Sequence, residues 1–184
     1  VSCWRILQFI GKMLRLLLFT IAVGLSSAVI DRQRCIELSG THGETVKCPT
    51  YHVATELCTS GRDADCHGKH TRVMCCPVSS PTMSGSLENR EGYHGVRVIC
   101  TGTKAVTSVC SSGRDDDCGH DVYTRIACEY GMGLQVTSKC RWLKGRNGRW
   151  VRCASNEVIA GVCSSGRDAD CWGFHTNIRC CDVL

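Results

Sequence analysis

Apolar and polar residues alternate in short runs along most of the chain. ETVKC, GVRVIC and RWVRC, which end at Cys48, Cys100 and Cys153, step with a period of two, as a half-buried strand does. HVATELC, AVTSVC and EVIAGVC follow each of these after a small polar break, and HTRVMCC, VYTRIAC and HTNIRCC come after a further loop. Each set predicts three or more short strands. Beyond residue 28 no segment keeps a helical period with a cap over about ten residues, so the predicted class is all-β.

The sets are copies of one another. TELCTSGRDADCHGKHTRVMCC starts at Thr55, TSVCSSGRDDDCGHDVYTRIAC at Thr107 and AGVCSSGRDADCWGFHTNIRCC at Ala160, an offset of 52 and then 53 residues. The boundaries drawn from this are repeat 1 over 31–78, repeat 2 over 93–130 and repeat 3 over 140–184. The turn-rich stretch 79–92 is assigned as a linker, and 131–139 as a tighter connection. Units this small bury little apolar surface alone, so three disulfide-stabilised β-repeats are expected to pack around a pseudo-threefold axis. Trp142, Trp150 and Trp172 are candidates for that interior or for a binding surface.

Cysteine usage supports the staple reading. The 184 residues hold 17 cysteines, a density that in a reducing compartment would mean metal sites and in an oxidising one means a disulfide framework. Residues 13–28, MLRLLLFTIAVGLSSA, read as a signal peptide with a basic Arg15, an apolar run and a small-residue cleavage site; 1–12 read as an upstream extension. Removing 1–28 takes Cys3 away and leaves an even set of 16. Repeats 1 and 3 each hold six cysteines and repeat 2 holds four (Cys100, Cys110, Cys118, Cys128), lacking both the leading one and the second of the terminal pair. Losing two half-cystines together is what losing one bridge does, which points to Cys35–Cys76 and Cys140–Cys181. The other four in each copy can pair in three ways, of which the nested one is simplest: Cys48–Cys75 around Cys58–Cys66, Cys100–Cys128 around Cys110–Cys118, and Cys153–Cys180 around Cys163–Cys171.

Three of the 22 basic residues lie in 1–28, which leaves 19 against 17 acidic ones. Such a balance provides no clustered basic face for nucleic acid or anionic membranes. No apolar run is long enough for membrane insertion. The candidate ligand-binding residues are those of the thrice-repeated SGRDxDC loop, namely Arg62, Asp63 and Asp65, Arg114, Asp115 and Asp117, and Arg167, Asp168 and Asp170, with the aligned His70 and His175. One reading makes the loop a tight turn in which Asp caps backbone amides and Arg pairs locally. The other makes it three binding loops whose paired carboxylates offer oxygen to Ca²⁺ or hydrogen bonds to a sugar. The histidines, with Tyr123 at their place in the middle copy, are exposed strand residues or tune binding with pH. No motif sets Ser, His and Asp together as catalysis requires, so no catalytic residue, resident metal or other cofactor is expected.

The pattern C-x(n)-V-x-C-x(6–8)-T-x-x-C-S-S…C…I-x-C-C, three times over Cys35 to Cys181, resembles the Cys/His-rich C-terminal domain of the proprotein convertase that regulates the LDL receptor. Resistin-type C-terminal domains carry a similar motif once, and dermatopontin-like matrix proteins are a more distant likeness. The resemblance implies a small antiparallel jelly-roll with nested bridges, and no catalytic residue. The expected function is a secreted binding protein that recognises an extracellular protein or glycan through repeated loops. The alternatives are a structural matrix or coat protein and a small hydrolase.

Overall fold

The computed structural model describes residues 30–60, 64–78, 86–112, 117–119, 121–129, 134–165 and 169–184. Residues 1–29, which include the expected signal peptide, and the central residues of the three SGRDxDC loops lie outside these. Among the described residues there are twelve strands and no helix, and hence no helix long and apolar enough to cross a membrane.

The first unit supplies β1 (Ile36–Gly40), β2 (Val46–Lys47), β3 (His52–Thr59) and β4 (Thr71–Pro77). The second supplies β5 (Glu88–Gly92), β6 (Val98–Ile99), β7 (Ala105–Ser111) and β8 (Thr124–Glu129). The third supplies β9 (Val136–Gly145), β10 (Val151–Arg152), β11 (Glu157–Ser164) and β12 (Thr176–Val183). They form three antiparallel four-stranded sheets, ordered β1-β4-β3-β10, β2-β7-β8-β5 and β6-β11-β12-β9.

No sheet belongs to one unit. Each unit keeps three strands and lends its short second strand to a neighbour: β2 to the second unit, β6 to the third and β10 back to the first. A head-to-tail contact that returns to its start makes a closed ring, and here the ring is made within one chain. The lent strands cover edges that would otherwise leave ladder groups unpaired.

A bulge at the same place in each copy prepares the receiving strand. Register shifts fall between Ala54 and Glu56, Val106 and Ser108, and Ile159 and Gly161, leaving Thr55, Thr107 and Ala160 outside the intra-unit ladder. Their carbonyls accept the amides of Cys153 (3.1 Å), Cys48 (2.8 Å) and Cys100 (3.0 Å), each the cysteine that ends the incoming strand. Gly40, Gly92 and Gly145 let the start of that strand approach, since a Cβ there would run into the Cγ2 of Val46, Val98 or Val151.

The shared core repeats the same six positions from every unit. They are Val46/Val98/Val151, Cys48/Cys100/Cys153, Ala54/Val106/Ile159, Leu57/Val109/Val162, Val73/Ile126/Ile178 and Cys75/Cys128/Cys180. Sizes trade between neighbours: Ala54 with Leu57 in the first unit fills the place of Val106 with Val109 in the second. Three threefold-related hydroxyls lock the interior, where Thr71 donates to Ser111 O (3.4 Å), Thr124 to Ser164 O (3.3 Å) and Thr176 to Thr59 O (3.3 Å). All of these residues are fully buried, so each bond satisfies groups that water cannot reach. The tryptophans are not in this interior. Trp142 and Trp150 are half-buried and Trp172 is exposed, while the interior is filled by aliphatic, hydroxyl and disulfide-bonded side chains.

Two boundary expectations change. Glu88–Gly92, within the stretch assigned as linker, is β5 and pairs with β8 from Glu88↔Cys128 to Gly92↔Thr124. Val136–Lys139, within the assigned connection, begins β9. Both belong to edge strands, β5 mostly exposed and β9 partly so, and neither needs the apolar alternation by which the other strands are recognised.

Eight disulfides join Cys35–Cys76, Cys48–Cys75, Cys58–Cys66, Cys100–Cys128, Cys110–Cys118, Cys140–Cys181, Cys153–Cys180 and Cys163–Cys171, the nested arrangement. A set this dense requires an oxidising environment. In the middle unit Leu87 and Glu129 stand where the outer units have the missing pair, and Thr107 Oγ1 donates to Glu129 Oε1 at 3.2 Å. There Glu88 ties the first strand to the turn before β7, accepting from Lys104 Nζ (2.8 Å) and Thr101 Oγ1 (2.6 Å). The third unit places the charges the other way round, with Arg141 on the first strand donating to Glu157 at 3.0 Å.

The hydrogen bonds from Lys104 and Thr101 pull the Glu88 carboxyl from 4.5 down to about 2. A depressed carboxyl contributes stability above its unfolded value and loses it as pH falls towards its folded value. Glu88→Gln is therefore expected to lower the melting temperature at neutral pH. The difference from the unaltered protein should shrink between pH 4.5 and about 2 and vanish below that, as measured by thermal unfolding across pH.

Candidate functional site

Each SGRDxDC loop hangs between its unit's third and last long strands and is closed at its base by Cys58–Cys66, Cys110–Cys118 or Cys163–Cys171. Cys66 and Lys69 exchange backbone hydrogen bonds (3.1 and 3.2 Å), as do Cys171 and Phe174 (3.0 and 3.3 Å). Two-residue turns of this kind need positive φ at both central positions. His67 (54°) with Gly68 (77°), and Trp172 (59°) with Gly173 (79°), meet that need. The middle copy has one more residue here and closes instead through Cys118 N to Val122 O at 3.1 Å.

The second aspartate of each loop does not stand free for a ligand. Asp117 Oδ2 lies 2.5 Å from His42 Nδ1, Asp170 Oδ2 lies 2.8 Å from His94 Nδ1, and Asp65 Oδ2 accepts from Asn147 Nδ2 at 2.5 Å. In each case the partner comes from the neighbouring unit, so these aspartates fasten the ring. Ser60 Oγ accepts the Asp65 amide (3.0 Å), while the Asp65 carboxylate reaches across the seam; the Gly-Arg-Asp turns expected to cap their own amides lie outside the described residues. Arg62, Asp63, Arg114, Asp115, Arg167 and Asp168 lie outside the described residues, as does His120.

His70 and His175 occupy equivalent places, their amides donating to Gly40 O (3.3 Å) and Gly145 O (3.1 Å). The His70 ring meets His42 edge-on with centroids 5.4 Å apart, and Tyr123 meets His94 in the same way at 5.5 Å. These rings buttress the residues that hold the aspartates. Among the described residues, the one group whose donors converge as for a metal ion is Cys153, Glu157 and Cys180, and its two sulfurs are already joined to each other. The described loop aspartates are not gathered into a Ca²⁺ site.

Residues not singled out from sequence prove to matter at the seams. His42, His94 and Asn147 each precede a glycine, and Gly43, Gly95 and Gly148 all have φ near +70°. A Cβ at Gly148 would lie 2.6 Å from Asp65 O, and one at Gly43 2.6 Å from Asp117 Cβ. The signal was present as THG, YHG and RNG at the repeat offset, inside stretches that read as turns.

The three seams differ in what they display. At the seam from the third unit to the first, Arg72 lies over Trp150 at 5.2 Å and ion-pairs with Glu37. At the seam from the second to the third, Arg97 is stacked between Trp142 (4.4 Å) and Trp172 (4.0 Å). Trp172 and Tyr93 remain 66% and 67% exposed there. Their counterparts at the other seams are not Trp, Tyr or Phe: Trp172 corresponds to His67 and Gly119, and Tyr93 to Thr41 and Arg146.

Compared with models of protein families, with curated proteins and with solved structures, the chain matches none.

At Gly148 the left-handed backbone and the contact with Asp65 act together. Gly148→Ala is expected to destabilise the protein by about 1–2 kcal/mol or more, since a side chain in that region is itself unfavourable by that order. Thermal or denaturant unfolding of the oxidised protein measures it, and an unchanged midpoint would contradict the role given to this seam.

Proposed function

We propose that the protein is a secreted, non-enzymatic binding protein whose ligand is an extracellular carbohydrate. The observation that carries this reading is the asymmetric display of Trp172 and Tyr93, two exposed rings set at one seam of an otherwise threefold frame. Large exposed aromatic side chains on a disulfide-fixed support suit recognition, because their flat apolar faces are held with little conformational freedom left to lose. The oxidising environment that eight disulfides require agrees with secretion.

The loop serines are occupied structurally, with Ser60, Ser112 and Ser165 hydroxyls donating to Lys69 O, Tyr123 O and Phe174 O, each at 3.3 Å. A structural role in matrix or coat is the second reading, favoured by the shared core and dense cross-linking.

A glycan array and a cell-surface pull-down with the secreted chain separate the readings. Saturable binding to a defined set of glycans is the expected result. Capture that survives removal of surface glycans would make the ligand a protein, and no saturable binding in either format would favour the structural role.

A further inference from the structure

We propose that the seam between the second and third units is a site for an acidic saccharide, with Arg97 as the anion anchor and Trp172 as the stacking face. This deepens the carbohydrate reading above and rests on it.

Arg97 stands just before β6, the strand that the second unit lends to the third, and so the exchange carries its side chain onto the neighbour. The guanidinium is stacked with Trp142 on β9 and with Trp172 in the turn after Cys171. A guanidinium has two flat faces and an in-plane edge of N–H donors. Aromatic contact occupies faces and leaves the edge for a planar, bidentate acceptor such as a carboxylate, or for a sulfate.

That edge has no protein partner among the described residues. Arg72 at another seam has Glu37, Arg125 has Glu91 and Arg152 has Glu56, whereas no hydrogen bond or ion pair joins Arg97 to any described residue. Its Nε is moreover buried without an acceptor. Nε is the one nitrogen of Arg97 so buried, and the donors that an outside anion meets are the terminal N–H groups of the half-buried side chain.

Two features say what the acceptor is attached to. Trp172 is in contact with Arg97 yet 66% exposed, so ring surface remains open beside the anchor. It holds that position with φ 59°, in a region that bulky residues rarely occupy. Arg97 also lines a cleft of about 380 Å³ with Asn89, Arg90, Glu91, Val98 and Ile99. The cleft thus offers amide, cationic and carboxylate groups for hydroxyls beside the anion. A sugar bearing a carboxylate or sulfate presents all three complements: an apolar C–H face, hydroxyls and an anion.

The stacked arginine could instead serve only to glue the seam, and the test is designed around that difference. Binding of the full chain is measured to oligo-uronic acids, to the same oligomers with carboxyls reduced to alcohols, and to sulfated oligosaccharides of equal length. The unaltered protein is expected to bind an acidic series at least about tenfold more tightly than the reduced one. Carboxylated against sulfated oligomers then tells which anion the anchor takes. Arg97→Lys keeps a cation between the indoles but loses the bidentate edge, and it should lower affinity about tenfold or more with a melting temperature close to that of the unaltered protein. Trp172→Ala leaves Arg97 on Trp142 and should weaken binding to a similar degree.

Equal binding of acidic and reduced oligomers would overturn the anion anchor. Unchanged acidic-oligomer affinity in both variants would overturn the site while leaving carbohydrate binding standing. No binding of the unaltered protein to any oligomer, acidic or neutral, would remove the carbohydrate reading itself.

Discussion

Everything else in this fold depends on one backbone exchange: the short second strand of each unit pairs with the third strand of the next. Its anchor is the hydrogen bond from a cysteine amide (Cys48, Cys100 or Cys153) to the carbonyl left over at a bulge (Thr107, Ala160 or Thr55). The amide belongs to a residue that is itself disulfide-bonded into the shared core. Strand lending, disulfide placement and core packing are thus three aspects of one contact, repeated at three seams. A unit taken alone would expose both the edge it borrows and the apolar side of the strand it lends, a poor state for a segment of about fifty residues.

The ring is symmetric in backbone and asymmetric in chemistry. His42, His94 and Asn147 hold Asp117, Asp170 and Asp65, so two seams are closed by imidazole and one by an amide. The middle unit has Leu87 and Glu129 in place of a disulfide and pairs Glu88 with Lys104 and Thr101, while the third unit reverses those charges as Arg141 with Glu157. Structural contacts tolerate such exchanges because each seam needs only a satisfied pair. Aromatic display does not repeat, however. Trp172, Trp142 and Tyr93 gather around the second and third units, and that is where the account places recognition.

Much of the architecture was legible in the chain. Three strand sets with period two and a fixed repeat offset specify an all-β triplication, and the paired absence at Leu87 and Glu129 points to which cysteines belong together. Edge strands were not legible: the residues of β5 are polar and mostly exposed, so LENREG looks like linker until β8 is seen beside it. Strand exchange was hidden for a similar reason, because alternation in ETVKC reports a half-buried strand and not the unit that buries it. The loop aspartates stood out by repetition, but their partners lie across seams. Repetition marked a contact that every unit makes, whereas Arg97 and Trp172 are informative because they are not repeated.

Native-state hydrogen exchange at the amides of Cys48, Cys100 and Cys153 tests the closed ring most directly. The three amides should share one high protection, and a single charged substitution in a lent strand, Val151→Asp, should lower all three together, because opening one seam opens the common core. Loss of protection at Cys153 alone, with Cys48 and Cys100 unaffected, would show three units that merely touch and would contradict the account.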